Sequence, residues 1–181
     1  MKKVFVNGYG SIGSRITQFI ADDKDIEVIG VGKYSPDDKV ADAISRGFDV
    51  YVPKTKADAF KNYKIAGAIE DIITKSDLVI DAAPGGVGYA NKKSLYEPKN
   101  VNAIFQGGEK IGGEESVANL IFNSRVNYEK AFDAKYVMQG SCNVTGMGRI
   151  LQPLKEKYGK KIKRFDATLL RRWADLEDSK T

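Results

Sequence analysis

Residues 3–13 of this chain read KVFVNGYGSIG, a short apolar run followed by three closely spaced glycines. Lys3–Val6 predicts a first strand. Ser11–Ala21 predicts a helix, because its apolar residues recur at helical spacing and share one face: Ile12, Ile16, Phe19 and Ile20. Between a strand and a helix, the spacing G-x-G-x-x-G is typical of a loop that binds the pyrophosphate of a dinucleotide. An ordinary strand-to-helix turn is the alternative, and this sequence context favours the dinucleotide loop.

The three glycines of this loop have different expected roles. Gly8 permits the tight turn, Gly10 lets the backbone approach a pyrophosphate, and Gly13 lets the helix pack against the strand. The N-terminus of the following helix presents free amide groups and a partial positive charge to the phosphates. We therefore expect all three glycines at a cofactor site.

The end of the second predicted strand bears on the choice between NAD and NADP. An acidic residue about 20 positions after the loop normally binds the ribose 2′-hydroxyl of NAD. In this chain that position is Lys33, with Ser35 close by. A lysine and a hydroxyl suit the 2′-phosphate of NADP, so the sequence favours NADP. In the alternative, Lys33 is a surface residue and Asp37 or Asp38 binds the ribose.

The following residues alternate between strands and helices. Further strands are predicted at Glu27–Val31, Asp49–Val52, Leu78–Asp81, Ala103–Gln106 and Tyr136–Met138. Further helices or helical turns are predicted at Asp37–Arg46, Ala57–Asn62, Glu70–Lys75 and near Asn127–Phe132. This alternation predicts an α/β fold, a Rossmann-type and mostly parallel sheet with helices on both faces. We assign residues 1–140 to this dinucleotide-binding domain.

A different pattern begins at residue 141. Asn143–Tyr158 predicts a long helix, in which Pro153 is expected to cause a bend or a break. Ile162–Arg172 predicts a long strand with partial alternation of apolar and polar residues. We interpret residues 141–181 as the beginning of an α+β catalytic domain, and we expect the rest of that domain to be missing.

The only cysteine, Cys142, lies in the stretch GSCNVTG at residues 140–146. A helix is predicted to start there, and the partial positive charge of a helix N-terminus stabilises a thiolate. A small buried side chain is the alternative. The polar neighbours Ser141, Asn143 and Thr145 argue against it, because they can donate hydrogen bonds to an anionic substrate or an oxyanion. Beside a dinucleotide loop, such a thiol predicts oxidation of an aldehyde through a thioester.

Composition narrows the remaining possibilities. The formal net charge of +5 is explained better by scattered surface lysines than by an anionic partner. The chain lacks the aromatic-basic strand signature of an RNA-binding domain, so no nucleic acid is expected. Its apolar runs are too short for a membrane span, and its start does not resemble a signal peptide. With a lone cysteine, these features indicate a cytoplasmic protein without a disulfide, and no metal site is expected.

Four stretches of the chain resemble archaeal-type (class II) glyceraldehyde-3-phosphate dehydrogenases, in the order and at the spacing of that family. They read VNGYGSIG at 6–13, QGGEK at 106–110, SCNVTG at 141–146 and RRWAD at 171–175. The resemblance covers the whole chain, as the N-terminal portion of such an enzyme. It implies phosphorylating oxidation of glyceraldehyde 3-phosphate to 1,3-bisphosphoglycerate in glycolysis or gluconeogenesis, with NAD or NADP, inorganic phosphate and a homotetrameric assembly.

The resemblance also implies roles for particular residues. Cys142 is the expected nucleophile, with Ser141 and Asn143 beside it at the substrate. Contacts with the dinucleotide are expected from Ser11, Ile12, Gly108 and Arg172. The family's catalytic histidine follows the two arginines, and this sequence contains no histidine. We therefore expect the chain alone to be inactive.

Two other functions remain open on the sequence alone. A related cysteine-dependent semialdehyde dehydrogenase would share the glycine loop and the thiol. A nucleotide-binding or redox-sensing module without catalysis would also fit, because the chain has no histidine. The QGGEK and RRWAD stretches favour the glyceraldehyde-3-phosphate dehydrogenase reading.

Overall fold

A parallel sheet of eight strands forms the middle of the molecule, in a computed structural model that describes residues 1–106 and 108–170. Its strands are β1 Lys2–Asn7, β2 Ile26–Gly32, β3 Val50–Val52, β4 Gly67–Ala68, β5 Leu78–Asp81, β6 Ala103–Gln106, β7 Ile121–Phe122 and β8 Tyr136–Gln139. Their order is β4-β3-β2-β1-β5-β6-β8-β7, and every neighbouring pair is parallel. The predicted Rossmann-type α/β fold is confirmed.

Helices and helical turns connect these strands. The α-helices are α1 Ser11–Ala21, α2 Asp38–Ser45, α3 Ile69–Ile72, α4 Val87–Asn91 and α5 Cys142–Tyr158. A π-helical turn, Lys92–Tyr96, continues α4, and 3₁₀ turns occupy Lys54–Phe60, Ile73–Lys75, Tyr128–Ala131 and Gly159–Lys161. Asp37 caps α2 by accepting a hydrogen bond from the Lys39 amide.

Two hydrophobic clusters contain the core, and consecutive residues of β1 contribute to different ones. Phe5 packs in one cluster with Tyr96 and Phe105. Val4 and Val6 pack in the other. Since successive strand side chains point to opposite faces of a sheet, this division places one cluster on each face of the central strand.

The face that α1 buries matches the predicted one only in part. Ile12 is 53% exposed and Phe19 is 83% exposed. The buried residues of α1 are Gly13, Ser14 and Thr17. A side chain at Gly13 would place its Cβ 1.8 Å from the Gly8 carbonyl oxygen. The start of the helix lies this close to the loop, so small residues are required there, while Ile16 and Ile20 further along pack half-buried against the core.

The predicted strand over Ile162–Arg172 does not form in the part that the structure describes. Residues 162–170 have no regular structure and are exposed. A strand is stable when its backbone groups pair with a neighbour, and none of the described strands pairs with this segment. Arg171 and Arg172 lie outside the described residues.

Helix α5 begins one residue before its predicted start and continues through Pro153 to Tyr158. It buries none of its residues, and the exposed ones include Ile150 and Leu154. An ion pair between Arg125 and Glu156 ties its C-terminal half to the segment after β7. Within the described residues, no helix, α5 included, has the length and apolar character needed to cross a membrane.

Candidate active site

The loops after β1, β2, β5, β6 and β8 open into one cleft of ≈ 1330 Å³. All of these loops leave the carboxyl ends of parallel strands, so they meet at one edge of the sheet. The strand order reverses at β1, which pairs with β2 on one side and β5 on the other. A crevice at such a reversal is where open α/β sheets bind their ligands.

The glycine loop after β1 forms the floor of the cleft. Gly8 has a φ of +109°, and a Cβ there would lie 2.9 Å from the Ala82 carbonyl group, so this position requires glycine. Gly10 lines the cleft and would meet no atom within 4 Å if it had a Cβ. No side chain from the described residues caps the N-terminus of α1. The loop therefore offers open space beside free amide groups, an arrangement that fits a pyrophosphate.

The loops after β5 and β6 form the facing wall. Their backbones approach closely, since a Cβ on Gly85 would lie 3.0 Å from the Gly108 carbonyl oxygen. Glu109 accepts a hydrogen bond of 2.9 Å from the Gly88 amide in the first turn of α4. Gly108 lines the cleft, and Glu109 fixes the wall from behind.

One end of the cleft, beyond β2, is lined by charged side chains. The Lys33 ammonium lies 2.7 Å and 2.8 Å from the two carboxylate oxygens of Asp37. The Lys33 side chain is 7% exposed, whereas that of Asp37 is 50% exposed. Lys56 and Ser35 also line this end, and the Lys56 ammonium donates to the Tyr34 carbonyl oxygen. Two cations and one carboxylate therefore lie together there.

The opposite end of the cleft contains Cys142 at the first position of α5. The cysteine is exposed, so the small buried alternative is wrong. Ser141 caps the helix by accepting a hydrogen bond of 3.3 Å from the Val144 amide. The thiol thus combines solvent access with the positive end of a capped helix.

Thr145 fixes the start of α5 against the end of β8. Its hydroxyl donates to the Gly140 carbonyl oxygen at 3.2 Å and accepts from the Gln139 side-chain amide at 3.0 Å. With both of these bonds formed, the hydroxyl holds the helix in place beside the cleft that it lines.

Arg149 also lines the cleft, two helical turns after Cys142. This residue was not predicted from the sequence. A signal was available, because positions 142, 145, 146 and 149 are spaced to share one face of a helix.

A chain of buried hydrogen bonds lies beneath the cleft. The Tyr34 hydroxyl donates to the side-chain oxygen of Asn7 at 3.0 Å. The side-chain amide of Asn7 donates in turn to the Tyr96 hydroxyl at 2.6 Å. Burial raises the pKa of Tyr34 to about 12, so this phenol stays protonated. These hydrogen bonds join the loop after β2 to the core at the end of β1.

The same series of hydrogen bonds ends at the buried carboxyl group of Asp81. Asp81 accepts hydrogen bonds from the Tyr96 hydroxyl, the Asn91 side-chain amide and the Ala83 backbone amide. Burial raises the pKa of Asp81 above its ordinary value of 3.8, although these donors oppose the shift. Burial, followed by the negative charge of Asp81, raises the pKa of Tyr96. The network holds the loop after β5, which forms part of the cleft wall.

The structure brings most of the predicted site residues into this cleft: Gly8, Gly10, Ser11, Ile12, Lys33, Gly108, Ser141, Cys142 and Thr145. Gly13 lies behind the loop, in contact with Gly8. Asn143 is exposed on α5 and does not line the cleft. Arg172, expected at the cofactor, lies outside the described residues. Tyr34, Lys56 and Arg149 are lining residues that the sequence analysis did not name.

Comparison with curated proteins finds relatives across nearly the whole chain. Glyceraldehyde-3-phosphate dehydrogenase of Halobacterium salinarum is 44% identical over 178 residues, which cover 97% of this chain and 51% of that enzyme. The enzyme of Sulfolobus acidocaldarius is 41% identical over 98% of this chain and 50% of its own length. The resemblance to archaeal glyceraldehyde-3-phosphate dehydrogenases is confirmed, and the chain spans about half the length of the curated relatives it matches.

Solved structures share the fold at lower identity. Aspartate semialdehyde dehydrogenase with NADP from Candida albicans matches with a TM-score of 0.60 and 18% identity, over 88% of this chain and 48% of that chain. Aspartate semialdehyde dehydrogenase II from Vibrio cholerae matches with a TM-score of 0.56 and 12% identity, over the same shares of the two chains. No protein-family model matches the sequence.

Proposed function

We propose that this chain forms the dinucleotide-binding and thiol-bearing part of a phosphorylating glyceraldehyde-3-phosphate dehydrogenase. The observation that supports this function best is the single cleft that contains both the glycine loop and Cys142. An oxidation that needs a nucleotide cofactor and a thiol requires both at one site. The 44% identity to an archaeal enzyme of this name supports the substrate assignment.

The cofactor is placed along the cleft, with its pyrophosphate at Gly8 and Gly10 beside Ser11 and Ile12. When bound, NAD or NADP supplies the acceptor for a hydride ion. Free amide groups at the start of α1 hold the phosphates, and the wall at Gly108 lies across the cleft. These residues would hold the dinucleotide in the same cleft that Cys142 lines.

Cys142 performs the covalent chemistry. Its thiolate adds to the aldehyde carbon of glyceraldehyde 3-phosphate, and the carbonyl oxygen takes a proton to give a thiohemiacetal. Loss of hydride from that carbon, with the hydroxyl proton passing to a base, leaves a thioester on the sulfur. Inorganic phosphate then attacks the thioester carbon, which releases 1,3-bisphosphoglycerate and restores the thiolate. Ser141 is proposed to flank the substrate and Thr145 to position the helix, whereas Asn143 lies outside the cleft.

Among the described residues, the cleft offers no evident base for the hydride-transfer step. The chain has no histidine. Glu109 is bonded to the Gly88 amide and Lys110 is paired with Glu115, and neither residue lines the cleft. We therefore propose that hydride transfer is slow in the chain alone, so that Cys142 forms its thioester slowly and turnover is slow.

We propose NADP as the preferred cofactor of the cleft. The 2′-phosphate would lie at the charged end, within reach of Ser35 and the ammonium groups of Lys33 and Lys56. Asp37 opposes this preference, because it neutralises Lys33 and presents a half-exposed carboxylate. The two lysines outnumber the single carboxylate, so the net charge of this end favours the dianion. The parent enzyme is proposed to be a cytoplasmic homotetramer.

A single-turnover experiment tests this function. The chain is incubated with glyceraldehyde 3-phosphate and NADP in the absence of inorganic phosphate, quenched in acid and weighed by mass spectrometry. We expect an acyl adduct on Cys142 and an equal amount of NADPH. The Cys142→Ser variant should form neither product. Absence of both products from the parent chain, after cofactor binding has been verified by calorimetry, would overturn the proposal.

A further inference from the structure

We infer that Arg149 binds the phosphate group of a ligand held at Cys142, an inference that rests on the proposed function. The guanidinium group and the thiol belong to the same helix and line the same cleft. Between them on this face lie Thr145 and Gly146. The face therefore presents a nucleophile at one end and a cation at the other.

The space between the two groups suits a short substrate. Seven residues of α-helix rise about 10 Å. Helical side chains lean toward the N-terminus, and the arginine side chain is much longer than that of cysteine, so this lean is expected to shorten the separation of guanidinium and thiol. A three-carbon aldehyde with a terminal phosphate has a length that fits the remaining gap. The carbonyl carbon would lie at the thiol and the phosphate at the guanidinium.

The residues between these groups leave that space open. A Cβ on Gly146 would meet no atom within 4 Å. The Thr145 hydroxyl is directed to the Gly140 carbonyl oxygen and so is held at the side of β8. A ligand can therefore lie along α5 without displacing a side chain.

The part of the chain that the structure describes leaves the charge of Arg149 without a partner. Among the described residues, no carboxylate lies within ion-pair distance of it and no hydrogen bond engages its side chain. Arg125, which contacts the same helix, is paired with Glu156 through two hydrogen bonds. A planar guanidinium can bind a phosphate through two parallel hydrogen bonds, which a lysine cannot do.

Alkylation of Cys142 tests the inference without requiring turnover. The probes are iodoacetate, which is an anion, and iodoacetamide, which is neutral and of similar size. We expect the ratio of their rate constants to fall about fivefold in Arg149→Met, since the cation near the thiol attracts the carboxylate. In Arg149→Lys, the ratio of the iodoacetate to the iodoacetamide rate constant should stay close to that of the parent. Lys155→Met, on the same helix and outside the cleft, should leave it unchanged.

Protection experiments distinguish the two sources of phosphate. Inorganic phosphate, glyceraldehyde 3-phosphate and unphosphorylated glyceraldehyde are each added before iodoacetamide. Protection by glyceraldehyde 3-phosphate that is lost in Arg149→Met assigns the residue to the substrate's phosphate. Protection by inorganic phosphate that is lost in the variant assigns it to the attacking phosphate. Unphosphorylated glyceraldehyde should protect the parent and the variant equally.

The results also distinguish this inference from the proposed function. An unchanged alkylation ratio in Arg149→Met, together with unchanged protection by both phosphates, overturns the role of Arg149. A normal acyl adduct in the same preparation would then leave the proposed function intact. If the parent chain shows the expected alkylation ratio but forms no acyl adduct, the anion site at Arg149 is present and the dehydrogenase proposal fails.

Discussion

The ammonium group of Lys33 and the carboxylate of Asp37 form an ion pair of 2.7 Å at the end of the cleft beyond β2. Lys33 is buried and Asp37 is half-exposed. Asp37 also caps α2 through the Lys39 amide. The carboxylate therefore reduces the positive charge offered to a ligand and at the same time stabilises the helix beside it.

We expect Asp37→Asn to strengthen the binding of NADP relative to NAD. Asparagine is as good a helix cap as aspartate, and the substitution releases Lys33 from its partner. Removing a partly exposed negative charge near a 2′-phosphate should change the ratio of dissociation constants about fivefold. Calorimetric titration with both nucleotides measures this ratio. Asp38→Asn, one residue further along and outside the cleft, is the matched control. If the ratio of the NADP and NAD dissociation constants is the same in the parent and in Asp37→Asn, the 2′-phosphate does not bind at this end of the cleft.

Gly10→Val should abolish dinucleotide binding while the chain still folds. Gly10 faces open space in the cleft, so its side chain would occupy the position of the pyrophosphate without meeting protein atoms. Gly13→Val should instead prevent folding, because its Cβ would lie 1.8 Å from the Gly8 carbonyl oxygen. Circular dichroism and calorimetry separate the two effects. Tight binding of NADP by a folded Gly10→Val variant contradicts the loop assignment.

Cys142 should react with iodoacetamide at pH 7 faster than free cysteine does. The thiol is exposed to the reagent and lies at the first position of α5, beside the positive end of the helix. Mass spectrometry follows the reaction directly, because the chain contains no second cysteine. A rate constant at or below that of the free amino acid would show that the helix does not activate this thiol.

Steady-state formation of NADPH by the chain should be slow. General-base assistance typically contributes about 10²–10⁴-fold, and the chain has no histidine to provide it. The assay contains glyceraldehyde 3-phosphate, inorganic phosphate and NADP, with an archaeal relative at the same concentration of reactive thiol. Turnover within about tenfold of that relative would require a base that the cleft does not show.

The buried carboxyl group of Asp81 should make the free energy of unfolding depend on pH. Its folded-state pKa is raised above 3.8, so the unfolded chain loses this proton first as the pH rises. The contribution of Asp81 to stability is therefore full below pH 3.8 and is lost as the pH rises through the folded-state pKa. Urea unfolding of the parent and of Asp81→Asn, from pH 4 to pH 8, isolates this group. The parent should lose stability relative to the variant as the pH rises. A difference in unfolding free energy that does not change with pH would contradict the raised pKa of Asp81.

Local patterns were sufficient for most of the fold. The bounds of Ser11–Ala21, Leu78–Asp81 and Ala103–Gln106 agree with the sequence-based prediction. Helix α4 was missed because its first turn follows directly after the glycines at 85 and 86, which indicate a loop. Strands β4 and β7 have only two residues each, too few to produce an alternating pattern.

The site was less predictable because its contacts join distant parts of the chain. Asn7 and Tyr96 are 89 residues apart, and no local pattern indicates that their side chains meet. The sequence suggested that the cofactor is bound either by Lys33 or by Asp37 or Asp38, whereas the structure pairs Lys33 with Asp37. Arg149 was predictable in principle from its helical spacing to Cys142. Its place in the cleft depends on how α5 packs beside the end of β8, which helical spacing alone does not predict.

The pairing of β1 with β5 has a consequence for synthesis of the protein. Lys3 in β1 bonds to Asp77, which is 74 residues later and immediately precedes β5. At about 5–20 residues per second, a ribosome needs about 4–15 seconds to supply the residues between them. During that interval β1 can pair with β2, but its other edge, which includes Val4, Phe5 and Val6, has no partner from its own chain. An unpaired apolar edge can associate with other nascent chains, so association between chains is most favoured during this interval.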